Sequence, residues 1–120
     1  MFVISKQFAF SASHQLSSLP EGHKCKRLHG HNYLVTLKVA ADELNGHGFV
    51  MDYGDLAPFG AWVAEHFDHR HLNDCMGETP TTAEQIARHL YGVACSFGWN
   101  VVSVAVSETP KTEALYELSR

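Results

Sequence analysis

The chain has too few cysteines to be held together by disulfides. It has three, Cys25, Cys75 and Cys95, and an odd number makes no framework. It also lacks an apolar run long enough to span a bilayer and a charged-then-apolar leader, which points away from a membrane or secreted protein. A positive surplus is missing too. Nine Lys and Arg stand against thirteen Asp and Glu, a net charge of −4, so nucleic acid is not the expected partner. The one local basic cluster is His23, Lys24, Lys26 and Arg27. Linkers and low-complexity tracts are absent as well. With 120 residues and 45% hydrophobic content, residues 1–120 read as one globular domain, cytoplasmic, with free thiols.

What the chain has in excess is histidine, nine in all, so position must decide which of them matter. Cys25-Lys26-Arg27-Leu28-His29-Gly30-His31 puts a thiol four residues before a His-x-His pair. In an extended strand alternate side chains share a face, so His29 and His31 point the same way. His14, upstream, is a candidate third nitrogen. Three nitrogens with one open position favour zinc over magnesium or calcium, which prefer oxygen.

Alternation of apolar residues predicts a strand over 2–12 with Phe2, Ile4, Phe8 and Phe10 on one face, which His14 continues. A loop over 15–28 carries Cys25. A second strand over 29–41 lines up His29, His31, Tyr33, Val35, Leu37 and Val39. Asn45-Gly46 predicts a turn, and 48–53 a short returning strand. A helix is expected over 55–66, with Pro58 in its first turn, then a polar loop from Asp68 to Asp74. Thr81-x-x-Glu84 reads as the capping box of a second helix that stops near Gly98. Val102, Val104 and Val106 share one face of a strand over 99–108, and a last strand covers 112–118.

Each candidate has a plain alternative. Histidines on an apolar face need either a hydrogen-bond partner or an ion. Cys25, flanked by Lys24, Lys26 and Arg27, is either a thiolate base or nucleophile or itself a metal ligand. Cys75 and Cys95 read as inert thiols. Asp68-His69 offers an acid–base imidazole with an orienting carboxylate, and His71 competes for the role. Glu108 falls on the inward face of its strand. It is either a rim carboxylate or an anchor for a ligand with adjacent N–H donors. His47, His66 and His89 read as solvated, and Trp62 and Trp99 as packing residues.

Taken together, the motifs resemble the 6-pyruvoyltetrahydropterin synthase family, closest to its 6-carboxytetrahydropterin synthase branch. The matching elements are Phe8-x-Phe10-x-Ala12-x-His14, Cys25-x-x-x-His29-Gly30-His31-Asn32, Phe49-Val50-Met51-Asp52-Tyr53, Asp68-His69-x-x-Leu72-Asn73, Pro80-Thr81 before Glu84, and Glu108-Thr109. The resemblance implies an α+β tunnelling fold, a four-stranded antiparallel sheet with two helices on one face. It further implies a homo-oligomer of two stacked trimers with active sites at subunit interfaces. By the same resemblance His14, His29 and His31 bind Zn2+, Cys25 is the proton-abstracting base, Asp68 and His69 form its acid–base partner, and Glu108 holds the aminopyrimidine edge of a pterin. The three-residue gap between Cys25 and His29 is similar to the carboxy-forming branch of the queuosine pathway. Pro58 and Pro110-Lys111 depart from common family usage.

The expected activity is therefore a zinc lyase converting 7,8-dihydroneopterin triphosphate to 6-carboxy-5,6,7,8-tetrahydropterin, acetaldehyde and triphosphate, with Lys24, Lys26 and Arg27 steering the triphosphate. The rivals are triphosphate elimination to 6-pyruvoyltetrahydropterin, a non-catalytic pterin- or zinc-binding module, and a generic zinc hydrolase. The last would want a carboxylate base at His-x-x-Glu-type spacing, which the chain lacks.

Overall fold

The computed structural model describes residues 1–118. Two thirteen-residue strands, β1 (Phe2–His14) and β2 (His29–Ala41), form a long antiparallel hairpin whose connection carries the Cys25 turn. The order then runs α1 (Ala57–His66), the single turn α2 (Leu72–Cys75), α3 (Ala83–Cys95), β3 (Val101–Ser107) and β4 (Ala114–Glu117). The four strands pair in chain order, all antiparallel, in one sheet.

Alternation decides which face is covered. Phe10, Ala12, Tyr33, Val35, Leu37, Val39, Val104 and Val106 are buried under Phe59, Val63, Phe67, Ile86, Ala87 and Leu90 from α1, its C-terminal end and α3. Burying side chains of this size contributes roughly 1.5–3 kcal/mol each. Gly60 brings α1 down onto β1, because a Cβ there would lie 2.7 Å from the Phe8 ring. Pro58 sits in the first turn of α1, where no N–H is needed.

Four expectations change in detail. Residues 48–53 form no strand. Asn45 Oδ1 instead accepts from the backbone N–H of His47 and Phe49, and Asp52 Oδ1 from Gly54, so local side chains satisfy a backbone that needs no ladder. In β3 the register shifts opposite Lys38 and Val39. Val101 then packs against the core in the place expected for Val102. The polar loop after α1 contains the short turn α2. The cap of α3 is Thr82, whose hydroxyl accepts from Gln85 N–H at 3.2 Å, not Thr81. That shift leaves Thr81 free for another role.

Candidate metal centre and its flanking residues

The register of the hairpin assembles the centre. His14 pairs with His29 across β1 and β2, and His31 lies opposite Ala12, so all three imidazoles project from one end of the covered face. Their nearest donor nitrogens all lie within 4.8 Å of one another. His14 is fully buried, and its Nδ1 donates to the Thr81 carbonyl at 2.8 Å, with the Thr81 hydroxyl 3.2 Å away. His29 Nδ1 donates to the Arg27 carbonyl at 2.7 Å. Because a carbonyl only accepts, both Nδ1 atoms carry a proton, so in the neutral rings both Nε2 atoms present a lone pair. Those two nitrogens lie 3.0 Å apart.

That arrangement is repulsive unless something positive lies between them. A second proton is disfavoured at His14, where burial lowers the pKa against the opposing hydrogen bond from Thr81. Burial also lowers the pKa of His31, with the Glu108 carboxylate opposing it. His31 Nε2 is buried and makes no well-aligned hydrogen bond. Zinc–nitrogen bonds of about 2.0–2.1 Å would set ligand nitrogens roughly 3.3–3.4 Å apart, close to the 3.0 Å between His14 and His29 Nε2. Three imidazoles, two with their Nδ1–H held by carbonyls behind them, are the donor set of a borderline cation. The site fits a metal.

Glu108 lies just past β3, with Oε2 2.9 Å from His31 Nε2 and 4.0 Å from His14 Nε2. Its inward placement is thus as expected, at the edge of the imidazole cluster. Cys25 is half-buried in a turn over Lys24–Lys26. Its carbonyl accepts from Leu16 N–H at 2.9 Å, which ties the turn to the end of β1. The group of mutually close metal donors contains no thiol among the described residues, so Cys25 stands outside it. Lys24 and Arg27 are exposed, whereas Lys26 is engaged by Glu21.

Asp68 and His69 lie alongside β1, at Ser11. Asp68 Oδ1 accepts from Ser11 N–H at 2.9 Å and lies 3.0 Å from His69 Nδ1. Those two contacts, the Ser11 N–H foremost, hold its carboxyl below the usual carboxylate range. His69 has a φ of +59°, an unusual state for a non-glycine residue, and its N–H donates to the Ser11 carbonyl at 2.6 Å. Ser13 N–H donates to the Arg70 carbonyl, so residues 69–71 run along the outer edge of β1. The His69 side chain is 82% exposed. Ser11 and His14 are three residues apart on an extended strand, roughly 10 Å. No hydrogen bond joins His69 to an imidazole of the cluster among the described residues. His71, the competitor, is half-buried with Nδ1 3.0 Å from Ser13 Oγ.

Two supporting residues escaped the sequence reading. Thr81 was spent there on a helix cap, yet it fixes the tautomer of His14. Asn73 grips the backbone of Gln15 through both ends of its amide, at 3.0 and 2.9 Å, and so pins the residue after His14. Only the Leu72-Asn73 pattern hinted at it. Among the other residues, Cys75 donates weakly to the His66 and His71 carbonyls, and burial pushes its thiol pKa up, as suits an inert thiol. His47 and His66 are exposed, and Trp62 and Trp99 pack against the core. His89 is exposed as well, with one side of its ring against aromatic neighbours. Its ring packs 5.5 Å from Phe67 and 5.9 Å from Trp62, and the desolvation lowers its pKa.

A four-stranded antiparallel sheet with its helices on one face, carrying a partly buried tri-imidazole cluster at one end of its long hairpin, defines the class: a small α+β domain with a candidate metal centre. Residues 3–119 match the family model described as 6-pyruvoyl tetrahydropterin synthase, and the chain belongs to that family. It is 39% identical to a 6-carboxy-5,6,7,8-tetrahydropterin synthase of Synechocystis, over 97% of this chain and 93% of that protein. The protein of the same description from Bacillus subtilis is 31% identical, over 96% of this chain and 84% of its own length. Among solved structures, the 6-pyruvoyl tetrahydropterin synthase of Caenorhabditis elegans superposes with a TM-score of 0.86. It is 26% identical and covers 98% of this chain and 96% of that one. No helix among the described residues is long and apolar enough to cross a membrane.

Proposed function

We propose that this chain is a zinc-dependent 6-carboxy-5,6,7,8-tetrahydropterin synthase, a carbon–carbon lyase acting on 7,8-dihydroneopterin triphosphate in queuosine biosynthesis in the cytoplasm. The observation that carries the reading is the approach of the His14 and His29 Nε2 atoms to 3.0 Å beside His31, in a chain so similar to synthases of that description. His14, His29 and His31 would hold Zn2+, which when bound supplies Lewis-acid stabilisation of negative charge developing on substrate oxygen.

The remaining work falls to the chain's own side chains. Cys25 removes a proton from the substrate side chain, its turn being tied to β1 at Leu16. His69 moves protons at its ring nitrogens, and the ionised Asp68 orients it and stabilises its cationic form. Glu108 accepts hydrogen bonds from the aminopyrimidine edge. Lys24 and Arg27, both exposed, attract the triphosphate. With one water consumed, the products are 6-carboxy-5,6,7,8-tetrahydropterin, acetaldehyde and triphosphate.

The same reading has the protein working as a homo-oligomer, a hexamer of two stacked trimers. Supporting it, one chain leaves His69 in solvent and the imidazole cluster only partly enclosed, so a neighbouring copy would close a site around both. The outer strands β1 and β4 also leave Phe2, Val3 and Leu115 about half exposed.

The test is incubation of zinc-loaded protein with dihydroneopterin triphosphate and mass spectrometry of the products. The reading expects the carboxy pterin together with acetaldehyde. A pyruvoyl pterin without acetaldehyde would make the chain a 6-pyruvoyltetrahydropterin synthase instead, and bound but unchanged substrate a non-catalytic pterin-binding module.

A further inference from the structure

Besides His31 Nε2, the one buried side-chain polar atom without a hydrogen-bond partner among the described residues is the hydroxyl of Tyr33. The side chain is 1% exposed, stacked on Phe10 at 4.7 Å and set edge-on to His31 at 5.4 Å and His14 at 6.1 Å. A buried hydroxyl without an acceptor is costly, and such a group in a native structure calls for an explanation, a functional role among them. The strand register indicates which acceptor is near. Val35 pairs with Val106 and Leu34 with Ser107, so one more step sets Glu108 opposite Tyr33 on the face of the histidines. Glu108 is drawn instead toward the imidazoles, 2.9 Å from His31 Nε2. The phenol O–H is available as a donor.

We propose that Tyr33 is a positioning residue for Glu108: when a metal ion takes the imidazole nitrogens, the Glu108 carboxylate turns from His31 and accepts the hydrogen bond that the Tyr33 hydroxyl lacks. This rests on the reading of His14, His29 and His31 as metal ligands. The phenol and the imidazoles compete for one carboxylate, and metal binding decides the contest. A carboxylate held by Tyr33 through one oxygen keeps the other for the adjacent N–H donors of a bound ligand.

The test measures zinc affinity by competition with a chromogenic chelator. Tyr33→Phe keeps the ring, and with it the packing on Phe10, His14 and His31, and removes only the hydroxyl. The bond exists only with metal bound, so Tyr33→Phe should weaken zinc binding by about tenfold, the size of a hydrogen bond to a charged acceptor. The thermal midpoint of the metal-free variant should equal or exceed that of the parent, and that of the zinc-loaded variant should fall below it. In a Glu108→Ala background, Tyr33→Phe should change zinc affinity less than about twofold. Unchanged affinity in Tyr33→Phe, or an equal loss in both backgrounds, overturns the inference while the metal reading stands. A parent chain that binds no zinc overturns both.

Discussion

Strand β1 carries two kinds of chemistry on its two sides, and they are built in opposite ways. The His14 end is buried, its tautomer is fixed by Thr81, and the next residue is clamped by Asn73. The Asp68–His69 pair hangs on the outer edge of the same strand through Ser11, with His69 in a left-handed conformation and its ring in solvent. A metal ligand has to be held still with its lone pair aimed, and burial with carbonyl partners does that. An acid–base group has to keep its proton exchangeable, and exposure beside a carboxylate does that. The strained φ of His69 costs of order 1–3 kcal/mol, and backbone bonds to Ser11 and Ser13 hold it.

Substitutions should separate the two sides. The largest effect is expected from His29→Ala, which removes a nitrogen from the trio. Metal affinity should fall by more than the roughly 10–100-fold that loss of a supporting partner costs, and turnover should go with it. Metal analysis after dialysis checks this. Cys25→Ala should lower turnover by a factor on the order of 10²–10⁴ with the bound zinc intact. Loss of zinc in that variant would instead make the thiol a ligand. Asp68→Asn keeps an oxygen for Ser11 N–H and removes the charge. It should reduce kcat roughly 10- to 100-fold, again with full metal content, which steady-state kinetics beside metal analysis reads out.

The smallest effect separates the regions by pH. His14 and His31 have folded-state pKa values below 6.5, so the unfolded chain takes up protons that the folded chain refuses. Their contribution to stability is present above pH 6.5 and is lost as pH falls below it. Asp68 also has a depressed pKa, but its contribution is present above about 3.8 and is lost only below that value. Urea denaturation of the metal-free protein should therefore show stability declining from pH 6.5 downward. That decline should be shallower between pH 6.5 and 5 when His14 and His31 are both replaced, with His89, whose pKa desolvation also lowers, supplying the remainder.

Much of this was legible in the sequence, for a physical reason. Period-two alternation running through His14, and through His29 and His31, carries both face and register, so the trio and the inward placement of Glu108 could be read from strand pattern. The family and the four-stranded sheet followed from motifs in order. Features set by tertiary hydrogen bonds could not be read this way. Thr81 and Thr82 are equally good caps by sequence, and only the proximity of His14 assigns them. Phe49-Val50-Met51 has strand-like composition, but the side chains of Asn45 and Asp52 close the backbone locally. The bulge that exchanges Val101 for Val102 depends on pairing with β2, which local alternation does not contain.

The central claim is that three imidazoles hold a metal on which turnover depends. The direct test is to strip the protein with a chelator, add zinc stepwise, and measure bound metal and acetaldehyde release from dihydroneopterin triphosphate on the same samples. The account predicts one zinc per chain, with activity rising in proportion and saturating at that ratio. Full activity in the stripped protein, or zinc binding that leaves His29→Ala as well loaded as the parent, would contradict it.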